Sequence, residues 1–150
     1  VDPYNFGENV IGSEYLDGAI PDVNAFRVKN VSNTYLSFFS KMLSTSSSNK
    51  DLKRITMMMK FFEDMYCLIE KFSRWIKPNG HVAFIIGNKK LGDEIIPTDT
   101  IIDEIFTSFG FVSDGSIAHK LKTNNSNSQV PWQERIIENE FIMLYTKVTP

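Results

Sequence analysis

The sequence predicts an α/β fold, and three stretches carry the prediction. The first is Trp75-Ile76-Lys77-Pro78-Asn79-Gly80, leading into the apolar run Val82 to Ile86 and stopping at Gly87. Proline cannot continue a helix, and Asn-Gly tolerates positive φ, so a helix here turns into a strand. An uninterrupted apolar run between turn signals suits a strand buried on both faces. The second is Asp99 to Phe109, apolar at helical spacing and closed by Gly110, followed by a strand from Phe111. The third is Asn139 to Val148, a last strand reached without an intervening helix and therefore expected antiparallel to its predecessor.

The remaining elements follow in chain order. Residues 1–31 hold Pro3, Gly7, Gly12, Gly18 and Pro21, so loops and short turns are expected. A helix is expected from Ser32 to Leu43, with Ser32 as N-cap and Tyr35, Leu36, Phe38, Phe39, Met42 and Leu43 apolar. Ser44 to Asn49 reads as a flexible linker. A long helix, Lys50 to Ile76, repeats Ile55, Met58, Met59, Phe62, Met65, Ile69 and Phe72. The cluster Met57-Met58-Met59 reads as adaptable core packing. After the central strand, Lys89 to Pro97 is a loop with a short apolar piece, and Thr98 is the expected N-cap of the next helix. Asp114-Gly115 marks a bulge or turn in the strand Phe111 to Leu121. Residues 122–138 form a long polar loop, the kind that carries function or disorder.

The totals exclude several classes. A chain of 150 residues is one domain by length, divided here into an irregular and helical segment 1–49 and the α/β part 50–150. Its hydrophobic fraction of 42% and charged fraction of 23% are those of a globular protein. A net charge of -2 gives no global footprint for nucleic acid, although a local basic patch survives that test. The single cysteine, Cys67, has no internal partner and reads as a small buried hydrophobe in a reducing compartment. With no stretch of spanning length and no signal peptide, the expected location is cytoplasmic, without a membrane partner. A valine at position 1 implies that the native start is missing or removed.

The ordered motifs resemble the second half of a class I S-adenosylmethionine-dependent methyltransferase. More narrowly, they are similar to DNA amino-methyltransferases of the N6-adenine/N4-cytosine kind. The stretches that carry the resemblance are Phe62-Glu63-Asp64-Met65, Ile76-Lys77-Pro78-Asn79-Gly80, Ile86-Gly87-Asn88-Lys89, Gly92, Pro97-Thr98-Asp99, Gly110-Phe111 and Asn139-Glu140-Phe141-Ile142. Ile11-Gly12-Ser13 also looks like an element that such enzymes carry after their catalytic motif. The resemblance covers about residues 56–148. It implies a partial Rossmann-like methyltransferase sheet, fifth to seventh strands, with flanking helices and the antiparallel last strand inserted between the other two. In the complete enzyme it implies methyl transfer from S-adenosylmethionine to an exocyclic amino group of adenine or cytosine in DNA, as in restriction-modification.

The departures limit what this chain does alone. No glycine-rich turn follows a strand, so the cofactor motif is absent. Asp2-Pro3-Tyr4-Asn5 lacks one proline of the catalytic motif and the strand that would place it. No catalytic residue is therefore assigned, and S-adenosylmethionine is not expected to bind this chain tightly. Whether the chain by itself is an enzyme stays open. A companion chain carrying the cofactor half, or a homodimer covering an open strand edge, is the expected partner besides DNA.

In an open α/β sheet, ligands sit beyond the carboxyl ends of the parallel strands. Asn88 lies there, suited to a base edge or simply to a strand-end turn. Lys89 and Lys90 suit phosphate contacts or a solvated loop. Gln133 and Arg135, with Lys120, Lys122, Gln129 and Trp132, suit nucleic acid or a plain surface loop. His81 and His119 have no ligand-type neighbours in sequence, so no metal site is expected. The alternative to a methyltransferase part is a catalytically inactive methyltransferase-like module that binds nucleic acid or a protein partner.

Overall fold

The computed structural model describes residues 22–120 and 139–148. The chain forms two compact units, Val1–Phe72 and Ser73–Pro150.

The first unit holds two short 3-10 turns, Val23–Ala25 and Arg27–Asn30, then α1 (Asn33–Thr45) and most of α2 (Asn49–Trp75). Ser32 caps α1 as expected, its hydroxyl accepting the Tyr35 N–H at 3.0 Å. The linker is shorter than Ser44 to Asn49. Ser48 folds into the start of α2, accepting the Asp51 N–H at 3.1 Å and donating to the Asp51 carboxylate at 2.6 Å. Buried Tyr35 and Phe39 of α1 pack edge-on against Phe62 of α2, ring centres 6.1 and 5.8 Å away. Met58 and Met59 are buried, as core packing requires.

Arg27 ties the turn to α2. Its guanidinium meets Glu63 at 2.8 Å, Glu70 at 3.5 Å and the Cys67 sulfur at 2.6 Å, and lies over the Tyr66 ring. Glu63 also accepts the Val28 N–H at 3.1 Å. Cys67 is thus half-buried against a cation, which corrects the expectation of a plain buried hydrophobe. Its place on α2 turns the thiol toward Arg27, a long-range contact that helical periodicity does not reveal.

In the second unit the sheet is β1 (His81–Gly87), β5 (Asn139–Lys147) and β4 (Phe111–Lys120), in the order β1-β5-β4. β5 runs antiparallel to both neighbours. The unit is thus mixed helix and antiparallel sheet, compatible with a partial methyltransferase fold. β4 carries the expected irregularity, a register shift between Ser113 and Gly115. α3 (Thr98–Ser108) covers one face of the sheet. There Phe106 stacks on Tyr145 at 4.2 Å and meets Phe84 and Phe111 edge-on at 5.5 and 5.3 Å.

Burial on both faces of β1 is corrected. Val82, Phe84 and Ile86 are half-buried, whereas His81, Ala83 and Ile85 are exposed, Ile85 by 63%. α3 packs on one face only, so the strand shows the one-sided burial of an antiparallel sheet despite its continuous apolar sequence. Register places Ile142, Leu144 and Ile117 beside Ile85 on the other face.

The turn into β1 is tight. Asn79 takes φ of 64°, and its N–H donates to the Lys147 carbonyl at 2.8 Å. A Cβ on Gly80 would sit 2.7 Å from Ile76 and 2.8 Å from the Lys77 carbonyl, so only glycine fits. Gly110, at φ 79°, terminates α3 as expected. Lys147 is 5% exposed, and its ammonium donates to the carbonyls of Ser73 at 2.9 Å and Phe109 at 3.1 Å. One buried cation therefore satisfies the carboxyl ends of α2 and α3 together.

Candidate functional site at the carboxyl end of the first strand

β1 ends at Gly87, and Asn88 follows at the sheet's edge, its N–H directed at the Asn139 carbonyl at 3.4 Å. The Asn88 amide oxygen accepts the Asp99 N–H at 3.3 Å, and its NH₂ donates to the Asp99 carboxylate at 3.2 Å. This corrects Thr98 as N-cap of α3. Thr98 lies inside the first turn, 2% exposed, and its hydroxyl donates to the Ile96 carbonyl. The long-range cap from Asn88 replaces the local one. An amide has two donor hydrogens and two acceptor lone pairs, so Asn88 keeps one of each among the described residues.

Lys89 to Ile96 is more ordered than a loop. Two short strands, β2 (Lys90–Leu91) and β3 (Glu94–Ile95), form a hairpin turned at Gly92 with φ of 64°. Ile96 donates its N–H to the Lys89 carbonyl at 2.8 Å. Leu91 and Ile96, 6% and 0% exposed, anchor the hairpin, while the side chains of Lys89 and Lys90 are exposed. The structure therefore brings Asn88, Lys89 and Lys90 to one edge. Gln133 and Arg135 lie outside the described residues. Lys120 ends β4 opposite Asn139, placing a further exposed cation on the same edge. Asp99 was the residue missed. Its sequence signal was an acid in the first turn of α3, which reads as a helix-dipole partner and hides the pairing with Asn88.

These groups can bind and orient a polar ligand. Farther along β5, burial pushes the Tyr145 phenol well above its ordinary range, and Asp103 and Asp99 add to the shift. The described residues do not fit S-adenosylmethionine. A cofactor of that kind wants a glycine-rich turn running from a strand into the N-terminus of a helix. Between β1 and α3 the chain instead makes a hairpin, and the first turn of α3 is occupied by Asn88 and the Asp99 carboxylate. Among the described residues, no group of three His, Cys, Asp or Glu is placed to hold a metal ion, and no helix is long and apolar enough to cross a membrane.

Comparison with known proteins gives one informative match. The chain is 31% identical over 70 residues to the type II methyltransferase M.MvaI of Kocuria varians. The match covers 47% of this chain and 15% of that protein. No protein-family profile matches the chain, and no solved structure matches it. The match points to a methyltransferase relationship at the level of this shared stretch.

Proposed function

We propose that the chain is the substrate-side part of an S-adenosylmethionine-dependent DNA amino-methyltransferase of the N6-adenine/N4-cytosine kind. The observation that carries this reading is the sheet order β1-β5-β4, with an antiparallel strand between two strands that run the same way. That is the ending expected of a Rossmann-like methyltransferase sheet, and the Kocuria varians relative supports it independently. Asn88 sits where an amide can meet the edge of a target base, and Lys89 and Lys90 where ammonium groups can meet phosphates. Gln133 and Arg135 extend that substrate set. The cofactor half, carried by a companion chain, pairs with the outer edge of β1. Calorimetric titration of the chain with S-adenosylmethionine tests the division of labour. Weak or no heat is expected, and tight stoichiometric binding would sink the assignment.

A further inference from the structure

A second surface lies at the other end of β1, roughly 23 Å from Asn88 at the usual rise per residue of a seven-residue strand. There the carboxyl ends of α2 and α3 border an open cavity of about 880 Å³. Arg74, Trp75, Lys77, Thr107 and Lys147 help to line it, and none of its lining residues is a carboxylate. Trp75 is 75% exposed. An indole so bare is unusual, because tryptophan contributes most when a flat apolar partner covers it.

The charge balance decides what kind of partner fits. Two helix carboxyl ends contribute about one negative charge between them, roughly half each. Lys77 and Lys147 contribute two positive charges. Lys147 is already spent on the two helix ends, bonded to Ser73 and Phe109, so it cancels the negative field at the cavity floor. The exposed rim cation Lys77 then stands beside the exposed ring. A planar ring stacked on Trp75, with an attached anion near Lys77, satisfies both features.

We infer that this cavity binds a phosphate-bearing aromatic ring, that is, a nucleotide, either free or within a single strand. The base stacks on the Trp75 indole and the phosphate meets the Lys77 ammonium. The site is separate from the Asn88 edge and does not depend on methyl transfer.

The test is tryptophan emission in a Trp132→Phe chain, which leaves Trp75 as its only indole. The titrants are oligothymidylate, thymidine monophosphate and inorganic phosphate at low salt. Both thymine ligands should quench the emission, and phosphate alone should not. Saturation at lower concentration by the oligonucleotide assigns a strand, and by the monophosphate a free nucleotide. Binding of labelled oligothymidylate to Trp75→Ala should weaken about tenfold, within the range for losing one stacked base. Lys77→Glu should weaken it further at low salt than at high salt. Because both side chains are exposed, the variants should keep the parent's circular dichroism and melting curve. Absence of quenching, equal quenching by phosphate, or unchanged affinity in both variants overturns the proposal. No methyl donor enters the assay, so its failure leaves the reading of the Asn88 edge standing.

Discussion

Replacing Lys147 by methionine removes one charge and keeps most of the side chain's volume. The Ser73 and Phe109 carbonyls, bonded at 2.9 and 3.1 Å, then lose the Lys147 ammonium as a donor. A hydrogen bond from a charged donor is worth about 1.5–3 kcal/mol, so losing two costs about 3–6 kcal/mol. The ammonium also lies 5.0 Å from the centre of the Phe111 ring, a contact worth about 0.5–2 kcal/mol. Against this, the variant no longer buries an ammonium, which relieves a desolvation cost of several kcal/mol in a typical interior. The loss of two charge-assisted bonds and the ring contact together exceeds that relief. The expected net destabilisation is about 2 kcal/mol. Urea unfolding followed by far-ultraviolet circular dichroism reads it as a fall in midpoint of about 1 M, for slopes typical of small proteins. A midpoint equal to or above the parent's would show that Lys147 is a tolerated burial and does not hold the two helix ends.

Four further outcomes are expected. Tyr35 is fully buried, and its hydroxyl has no partner among the described residues, so Tyr35→Phe should raise stability by about 1 kcal/mol in the same assay. Burial pushes both the Tyr35 and Tyr145 phenols above their ordinary value, so the folded state favours their protonated forms. Stability should then be intact below about pH 10 and fall above it, by up to about 1.4 kcal/mol per pH unit per phenol, and Tyr35→Phe should flatten that fall. Asn88→Ala should cost about 1 kcal/mol through the lost cap on α3, seen as faster hydrogen exchange at Asp99. Phe106→Ala should cost about 3–5 kcal/mol, because three rings pack against Phe106 in a fully buried site. A loss below 1 kcal/mol in its urea midpoint would show that the aromatic cluster is not the core of this unit.

Local chemistry made most elements legible in the sequence. Ser32 announced α1, Pro78 and Asn79-Gly80 the turn into β1, Gly110 the end of α3, and Asp114-Gly115 the irregularity of β4. Each is a short-range preference that the structure keeps. What failed depended on contacts distant in sequence. Thr98 lost the cap to Asn88, eleven residues from Asp99, and Cys67 met Arg27 across forty. β1 reads as doubly buried because Val82 to Ile86 is uniformly apolar, yet which faces receive a helix is a property of the whole sheet. The Lys89–Pro97 stretch hid a hairpin because its strands are only two residues each, too short for any alternation to register. At the candidate site, strand-end logic located Asn88, whereas its engagement with Asp99 required the folded chain. Lys147 gave no signal at all, since a lysine at the end of a strand ordinarily reaches solvent.

Methyl transfer is the measurement closest to the central proposal. The assay combines this chain, duplex DNA, labelled S-adenosylmethionine and a form of the Kocuria varians relative that lacks the matched 70 residues. Label should enter DNA only when both polypeptides are present, and Asn88→Ala should reduce its incorporation. No incorporation under conditions in which the intact relative methylates DNA, or incorporation by this chain alone, would contradict the assignment of the chain as the substrate-side part of a methyltransferase.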